Sequence, residues 1–286
     1  MPFVPVFFGD ARAYTRDFGY LDVRALQTLY GENRPFNSDD TVYRFTGSLG
    51  AAPYMETIWD TGGINSLDLT ASNNRQVVDL RQGGLSHVIN NSGIPDGLTG
   101  IPTASDTYMI SYGTQMHHVM TGNGNDTIMG NELANTISTN GGNDTLRAMG
   151  GNDILRAGAG DDIYVWALAD GHDRIEELAG GGRDRLVIET RHTGIADFTE
   201  DLRFTRIGAM DLRIEFMPGG GDPIGSVTIQ TQQGLSRVES LVLQGLIGGD
   251  LTVDITTFMA ELPTQRTALS LTDQSSVLGR LVAPIV

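Results

Sequence analysis

Residues 121–165 read TGNGNDTIM, GNELANTIS, TNGGNDTLR, AMGGNDILR and AGAGDDIYV, five tandem copies of a nine-residue unit. The sixth place always holds a carboxylate or its amide: Asp126, Asn135, Asp144, Asp153 and Asp162. The eighth place is always apolar or aromatic: Ile128, Ile137, Leu146, Leu155 and Tyr164. Each copy divides into a six-residue turn and a three-residue strand, and the glycines of the turn permit positive φ angles and close backbone approach that a bulkier residue resists. One inward apolar side chain per strand makes no core alone. A copy is therefore stable only when stacked on its neighbours and when something neutralises the aspartates. A flexible glycine- and asparagine-rich linker is the competing reading, and strict register over five copies argues against it.

The unit resembles the RTX, or hemolysin-type, calcium-binding repeat. The resemblance implies a mainly β fold: a parallel β-roll that binds calcium, here flanked by antiparallel strands and preceded by a short helix. The residue types agree with it, because calcium is a hard cation that gathers six to eight carboxylate and carbonyl oxygens at about 2.3–2.6 Å. Two consecutive copies make one turn of such a roll. Asp126, Asp144 and Asp162 then form one column, and Asn135 and Asp153 the other. Thr121, Asn123, Thr139 and Gly141 join them as candidate metal ligands. The second copy has Leu133 at the glycine place and an amide at the sixth, which predicts a weaker or absent site there. Several calcium ions are expected, about two to four for so few inter-turn gaps.

Composition narrows the function. With 35 acidic against 19 basic residues the formal charge is −16, which argues against a nucleic-acid partner that needs Lys and Arg against phosphates and favours a cation. There is no cysteine, so neither a disulfide framework nor a thiolate metal site is available. No apolar run approaches the roughly 18 residues of a membrane span, and no membrane insertion is expected. The opening MPFVPVFFGD lacks a basic leader and carries Pro2 and Pro5, unlike a cleavable secretory signal.

Outward from the repeats, DFGYLDVRALQTLYGEN at 17–33 places Leu21, Ala25, Leu26 and Leu29 at helical spacing with Gly31 as a stop. DVRALQTLYGEN resembles the last catalytic-domain helix of serralysin-type metalloproteases. TVYRF at 41–45, IWDTGGINSLDL at 58–69 and ISYGTQMHHVMT at 110–121 resemble the segments that follow it in that family. The resemblance implies an outlying calcium site at Asp40 and Asp60 to Gly63, although Asn65 stands where the family has an aspartate; Trp59 reads equally as a core anchor. RQVVDL at 75–80 alternates as a strand does, and His117 and His118, adjacent on a strand, read as a solvated pair.

Serralysins cleave peptides with a zinc held by HExxHxxGxxH. The five histidines here, His87, His117, His118, His172 and His192, have no such spacing and none precedes a glutamate, so no peptidase is expected from this chain. DGHDRI at 170–175 and GGRDRLV at 181–187 place Asp173 and Asp184 either as late ligands or as ordinary turn aspartates. Alternating runs at 201–207, 211–217, 226–232 and 238–244 predict an antiparallel meander, and Ile255 to Leu262 a short helix. The divisions expected are 1–36 (remnant helix), 37–120 (link strands packing on the roll), 121–190 (roll), 191–262 (meander cap) and 263–286 (tail). In the resembling family the tail is an uncleaved address for a type I secretion apparatus, implying a secreted, extracellular monomer; LVAPIV keeps only the apolar part of that address. Two readings follow: a non-catalytic calcium module, or a piece of a zinc metalloprotease whose catalytic half lies elsewhere.

Overall fold

The computed structural model describes residues 14–15, 20–30, 37–45, 54–88, 107–168, 170–177, 181–189, 202–207, 211–230, 238–244, 250–255 and 259. The nine-residue units alternate between two facing sheets. Thr127–Met129, Thr145–Arg147 and Ile163–Ala167 lie side by side and parallel in one; Thr136–Ser138 and Ile154–Arg156 are parallel neighbours in the other. Thr145 pairs with Thr127 and Ile154 with Thr136, so one turn of the roll is two units, as the period requires. Alternation along each strand sends the eighth-place residue inward. Ile128, Ile137, Leu146, Leu155 and Tyr164 are all buried in one continuous core with Leu67, Val78, Val119, Ile175 and Leu186. Each such side chain contributes about 1.5–3 kcal/mol by leaving water.

The link strands do more than pack on the roll. Asn65–Asp68 runs parallel beside Met116–Met120, which runs parallel beside Thr136–Ser138, and Gln76–Asp79 runs parallel beside Thr127–Met129. Leu67, Val78 and Val119 occupy the inward place that the repeats give to Ile or Leu, and this shared inward pattern lets them extend the same two sheets.

The late strands also depart from a simple meander. Leu202–Ile207, Asp211–Phe216 and Gly225–Gln230 are antiparallel as expected, but Gly225–Gln230 also lies parallel to His172–Glu176 and continues its sheet. Val238–Gln244 lies parallel to Asp184–Glu189, and Leu251–Asp254 folds back on it antiparallel. Each parallel stack thus ends in a hairpin, because the inward apolar residues Val227, Ile229, Leu241 and Leu243 complete the core. The helix spans Tyr20–Tyr30 and buries Val23, while Leu21 and Leu29 are exposed. The buried stripe is therefore not the leucine stripe that the spacing suggested. Of the expected helix at 255–262 only Ile255 and Met259 are described; the expected tail lies outside the described residues.

Candidate metal centre

Sixth and eighth places share a parity, so a strand that buries its apolar residue also turns the preceding carboxylate inward. Asp126, Asn135, Asp144, Asp153 and Asp162 are all buried. On one side of the roll they form a ladder. Asp144 Oδ1 accepts from the Asp126 amide at 2.7 Å, Asp162 Oδ1 from the Asp144 amide at 2.7 Å, and Asp184 Oδ1 from the Asp162 amide at 3.0 Å. The ladder outruns the repeats at both ends: Asp126 Oδ1 accepts from the Gln76 amide at 2.8 Å, and Glu239 Oε2 from the Asp184 amide at 2.6 Å. On the other side Asp153 Oδ1 accepts from the Asn135 amide at 2.6 Å and Asp173 Oδ1 from the Asp153 amide at 3.0 Å. Asp173 and Asp184 therefore stand in the columns.

Each of these carboxylates spends one oxygen on the backbone. The other oxygen of Asp126, Asp144, Asp153, Asp162 and Asp184 is buried with no hydrogen-bond partner, a condition that costs about 1–3 kcal/mol per group and more for a charged one. Burial pushes the Asp144 carboxyl up to about 7 and that of Asp162 up to about 6. It also raises Asp126, Asp153, Asp173 and Asp184, with neighbouring carboxylates adding repulsion at Asp153, Asp173 and Asp184. Buried anionic oxygens without donors fit a hard divalent cation. Among the described residues no three carboxylate or imidazole side chains are drawn together enough to hold an ion alone, so turn carbonyls would complete its shell. Such carbonyls are stacked in line. A Cβ on Gly142 would fall 2.0 Å from Gly124 O, and one on Gly160 1.9 Å from Gly142 O. Gly142 and Gly160 also hold φ at 120° and 136°, where only glycine is comfortable.

Asn135 differs in kind. Its Oδ1 accepts from the Asn131 amide at 3.0 Å, and its Nδ2 donates to the carbonyls of Met116 at 3.1 Å and His117 at 3.3 Å. No oxygen of its side chain is orphaned. Asn131 assists, with Oδ1 accepting from Leu133 N and Nδ2 donating to Leu80 O and Met116 O. Thr121 and Thr139 are likewise spent on the roll, Thr121 Oγ1 donating to Thr139 O and Thr139 Oγ1 to Ala157 O. Asn123 Nδ2 donates to Asn73 Oδ1, and Gly141 bridges to Ala159 in parallel pairing.

The outlying positions do not offer a comparable site. Asp60 Oδ2 accepts from Tyr43 Oη at 2.7 Å and Oδ1 from the Gly62 amide at 3.0 Å, which occupies both oxygens. Asp40 Oδ1 accepts from the Ile64 amide at 2.7 Å. Asn65 closes the turn: Nδ2 donates to Gly62 O and Gln115 O at 3.0 Å each, and Oδ1 accepts from Thr41 N. An amide proton pair thus sits on carbonyls that a cation would need. Nor are His117 and His118 a solvated pair. Both rings are partly buried, His117 Nδ1 accepts from the Asn65 amide at 3.2 Å, and His118 Nδ1 is buried without a partner.

A second, exposed ladder escaped the sequence reading. Asn125 Oδ1 accepts from Asn143 N, Asn143 Oδ1 from Asp161 N and Asp161 Oδ1 from Arg183 N, at 2.9, 3.0 and 2.8 Å. Its signal was visible as a fifth place rich in Asn and Asp. Gln76, Glu177 and Glu239 were also missed, and they carry no repeat signature.

The description "Peptidase M10 serralysin C terminal" belongs to the family profile that matches residues 19–213. Among curated relatives, the serralysin of Photorhabdus laumondii is 29% identical over 159 residues, 46% of this chain and 30% of that protein. Metallopeptidase AprA of Pseudomonas marginalis is 32% identical over 138 residues, 45% of this chain and 26% of that protein. Serralysin A of Dickeya chrysanthemi is 32% identical over 117 residues, 38% and 22% respectively. The chain thus spans less than a third of the length of these relatives. With the roll, its link strands and the helix before them all inside the matched range, the chain belongs to the peptidase M10 serralysin C-terminal family.

Proposed function

We propose that this chain is a non-catalytic calcium-binding module that folds on calcium outside the cell and supports export by a type I secretion apparatus. The observation that carries the reading is the row of buried carboxylates whose second oxygens lack any donor. Asp126, Asp144, Asp162 and Asp184 would hold ions on one side, Asp153 and Asp173 on the other. Bound calcium supplies positive charge that removes the repulsion between successive turns. The chain's own residues supply the ladder that fixes each carboxylate, and the glycine turns that bring carbonyls close. Ligand binding of this kind becomes folding free energy. In a cytosol poor in free calcium the repeats stay threadable, and in an extracellular medium at about 10⁻⁴–10⁻³ M calcium they fold, which makes export one-way.

Circular dichroism against calcium, with magnesium as control, tests this reading. Growth of β signal and of thermal stability with calcium is expected. A roll fully formed in calcium-free buffer, unchanged by the ion, overturns it.

A second reading, a piece of a secreted zinc metalloprotease, is favoured by the exposed Leu21 and Leu29 on the helix and by relatives named as proteases of which this chain matches less than a third. The genomic sequence upstream of Met1 separates the two: an in-frame HExxHxxGxxH makes the chain part of a protease.

A further inference from the structure

The chain contains two Asn–Gly steps, Asn123–Gly124 in the first repeat and Asn140–Gly141 in the third. Such a step is prone to self-modification, because a glycine carries no Cβ to keep its amide nitrogen away from the preceding side chain. The roll treats the two steps differently. At the second, both reacting groups are committed: Asn140 Nδ2 donates to the Thr121 carbonyl, and the Gly141 amide donates to Thr139 O at 2.8 Å. The Asn140 carbonyl accepts from Ala159 N at 2.8 Å, and Gly141 pairs with Ala159 in the next turn. At the first step Asn123 is exposed, and its Nδ2 donates to the equally exposed side chain of Asn73 at 3.1 Å. Among the described residues the Gly124 amide has no acceptor.

We propose that Asn123 is a site of spontaneous deamidation and that Asn140, in the same dipeptide, is protected by the fold. After losing its proton to water, the Gly124 nitrogen attacks Asn123 Cγ. The new C–N bond closes a five-membered succinimide ring, and the Cγ–Nδ2 bond breaks with Nδ2 leaving as ammonia. Water then adds to one of the two imide carbonyls and reopens the ring. Opening at the side-chain carbonyl leaves aspartate; opening at the backbone carbonyl leaves isoaspartate, whose main chain runs through Cγ and is one methylene longer. The roll has no room for the longer form. Gly124 is stacked between neighbouring turns: a Cβ on it would meet Asn74 O at 2.3 Å and Asp126 Oδ1 at 2.8 Å, and one on Gly142 would meet Gly124 O at 2.0 Å. An extra main-chain atom at 123 displaces Gly124 in this stack and with it Asp126, whose Oδ1 accepts from the Gln76 amide. The inference stands on this stacking and not on which ion the roll binds.

The test is incubation of the whole folded chain in calcium-containing buffer at mildly alkaline pH, with peptide mapping by mass spectrometry at intervals and the urea-unfolded chain as reference. The unfolded chain should convert both residues at similar rates. In the folded chain Asn140 reacts only after two hydrogen bonds open, so its conversion should be at least about tenfold slower than that of Asn123. Isoaspartate-specific enzymatic methylation should label the aged peptide that contains residue 123. The aged parent should melt at a lower temperature than the fresh protein, and Asn123→Gln, whose longer side chain closes a ring far less readily, should age without that loss. Equal rates at the two asparagines of the folded chain, faster conversion at Asn140, or no conversion at Asn123 over a time in which the unfolded chain reacts fully, overturns the site. An aged parent that carries isoaspartate at 123 and melts as the fresh protein does overturns the stacking argument.

Discussion

Stripping calcium and changing pH gives the sharpest test of the buried ladder. Burial holds the Asp144 carboxyl at about 7 and that of Asp162 at about 6, against an ordinary 3.8. A carboxyl raised in the folded state binds protons that the unfolded chain has already released. Its contribution is intact below the ordinary value and is lost as pH rises through the folded value. Calcium-free protein therefore loses stability between about pH 4 and pH 7, the opposite of an acid-labile protein whose carboxylates are salt-bridged. The full shifts correspond to at most about 4 kcal/mol at Asp144 and about 3 kcal/mol at Asp162. Solvent at the partly exposed turns screens these charges, and about half that total, roughly 3–4 kcal/mol, is the working figure. That is a large share of the 5–15 kcal/mol that stabilises an ordinary domain. The assay is far-UV circular dichroism and thermal melting of resin-stripped protein from pH 4.5 to pH 8. The β signal and the midpoint should be highest near pH 5 and fall toward pH 8, where added calcium restores them. Asp144→Asn lacks the titrating proton and should flatten the slope. Calcium-free protein more stable at pH 8 than at pH 5 would refute the reasoning.

Asp144→Ala, unlike Asp144→Asn, removes the acceptor for the Asp126 amide, so it should cost about 1–3 kcal/mol even when calcium is saturating; denaturant unfolding of the two variants in calcium measures the difference. Asn135→Ala should leave calcium affinity near that of the parent in titration, yet lower the melting temperature, because the Asn135 bonds to Asn131 N and His117 O are lost and Met116 O keeps only the one from Asn131. Gly142→Ala places a Cβ 2.0 Å from Gly124 O at φ 120°; a loss of at least about 1–3 kcal/mol is expected, and an unchanged unfolding midpoint would contradict the close stacking. Purified chain with zinc and calcium should not hydrolyse casein above a mock preparation, and chelator-sensitive turnover would show a catalytic centre among its residues.

Much of this protein was legible because its architecture is periodic. A repeat of nine with an inward eighth place sets the strand spacing, and parity then turns the sixth place inward as well, so the aspartate columns followed from residues 121–165 without coordinates. The same logic marked Asn135 as the odd member. What lay beyond the repeats depended on contacts between residues distant in the chain. Whether Asp173 and Asp184 are turn residues or column members was decided by amides one turn away, Asp153 N and Asp162 N. The occupied oxygens of Asp60 depend on Tyr43, and the closed turn at Asn65 on Gln115. Glu177 has no repeat position at all; it became visible only when folding set it against Tyr164 and Asp184. The link and late strands joined the sheets because inward apolar residues at Leu67, Val78, Ile229 and Leu241 complete the core. Local pattern thus determined which residues face inward, and tertiary stacking determined which inward oxygens find a donor and which are left without one.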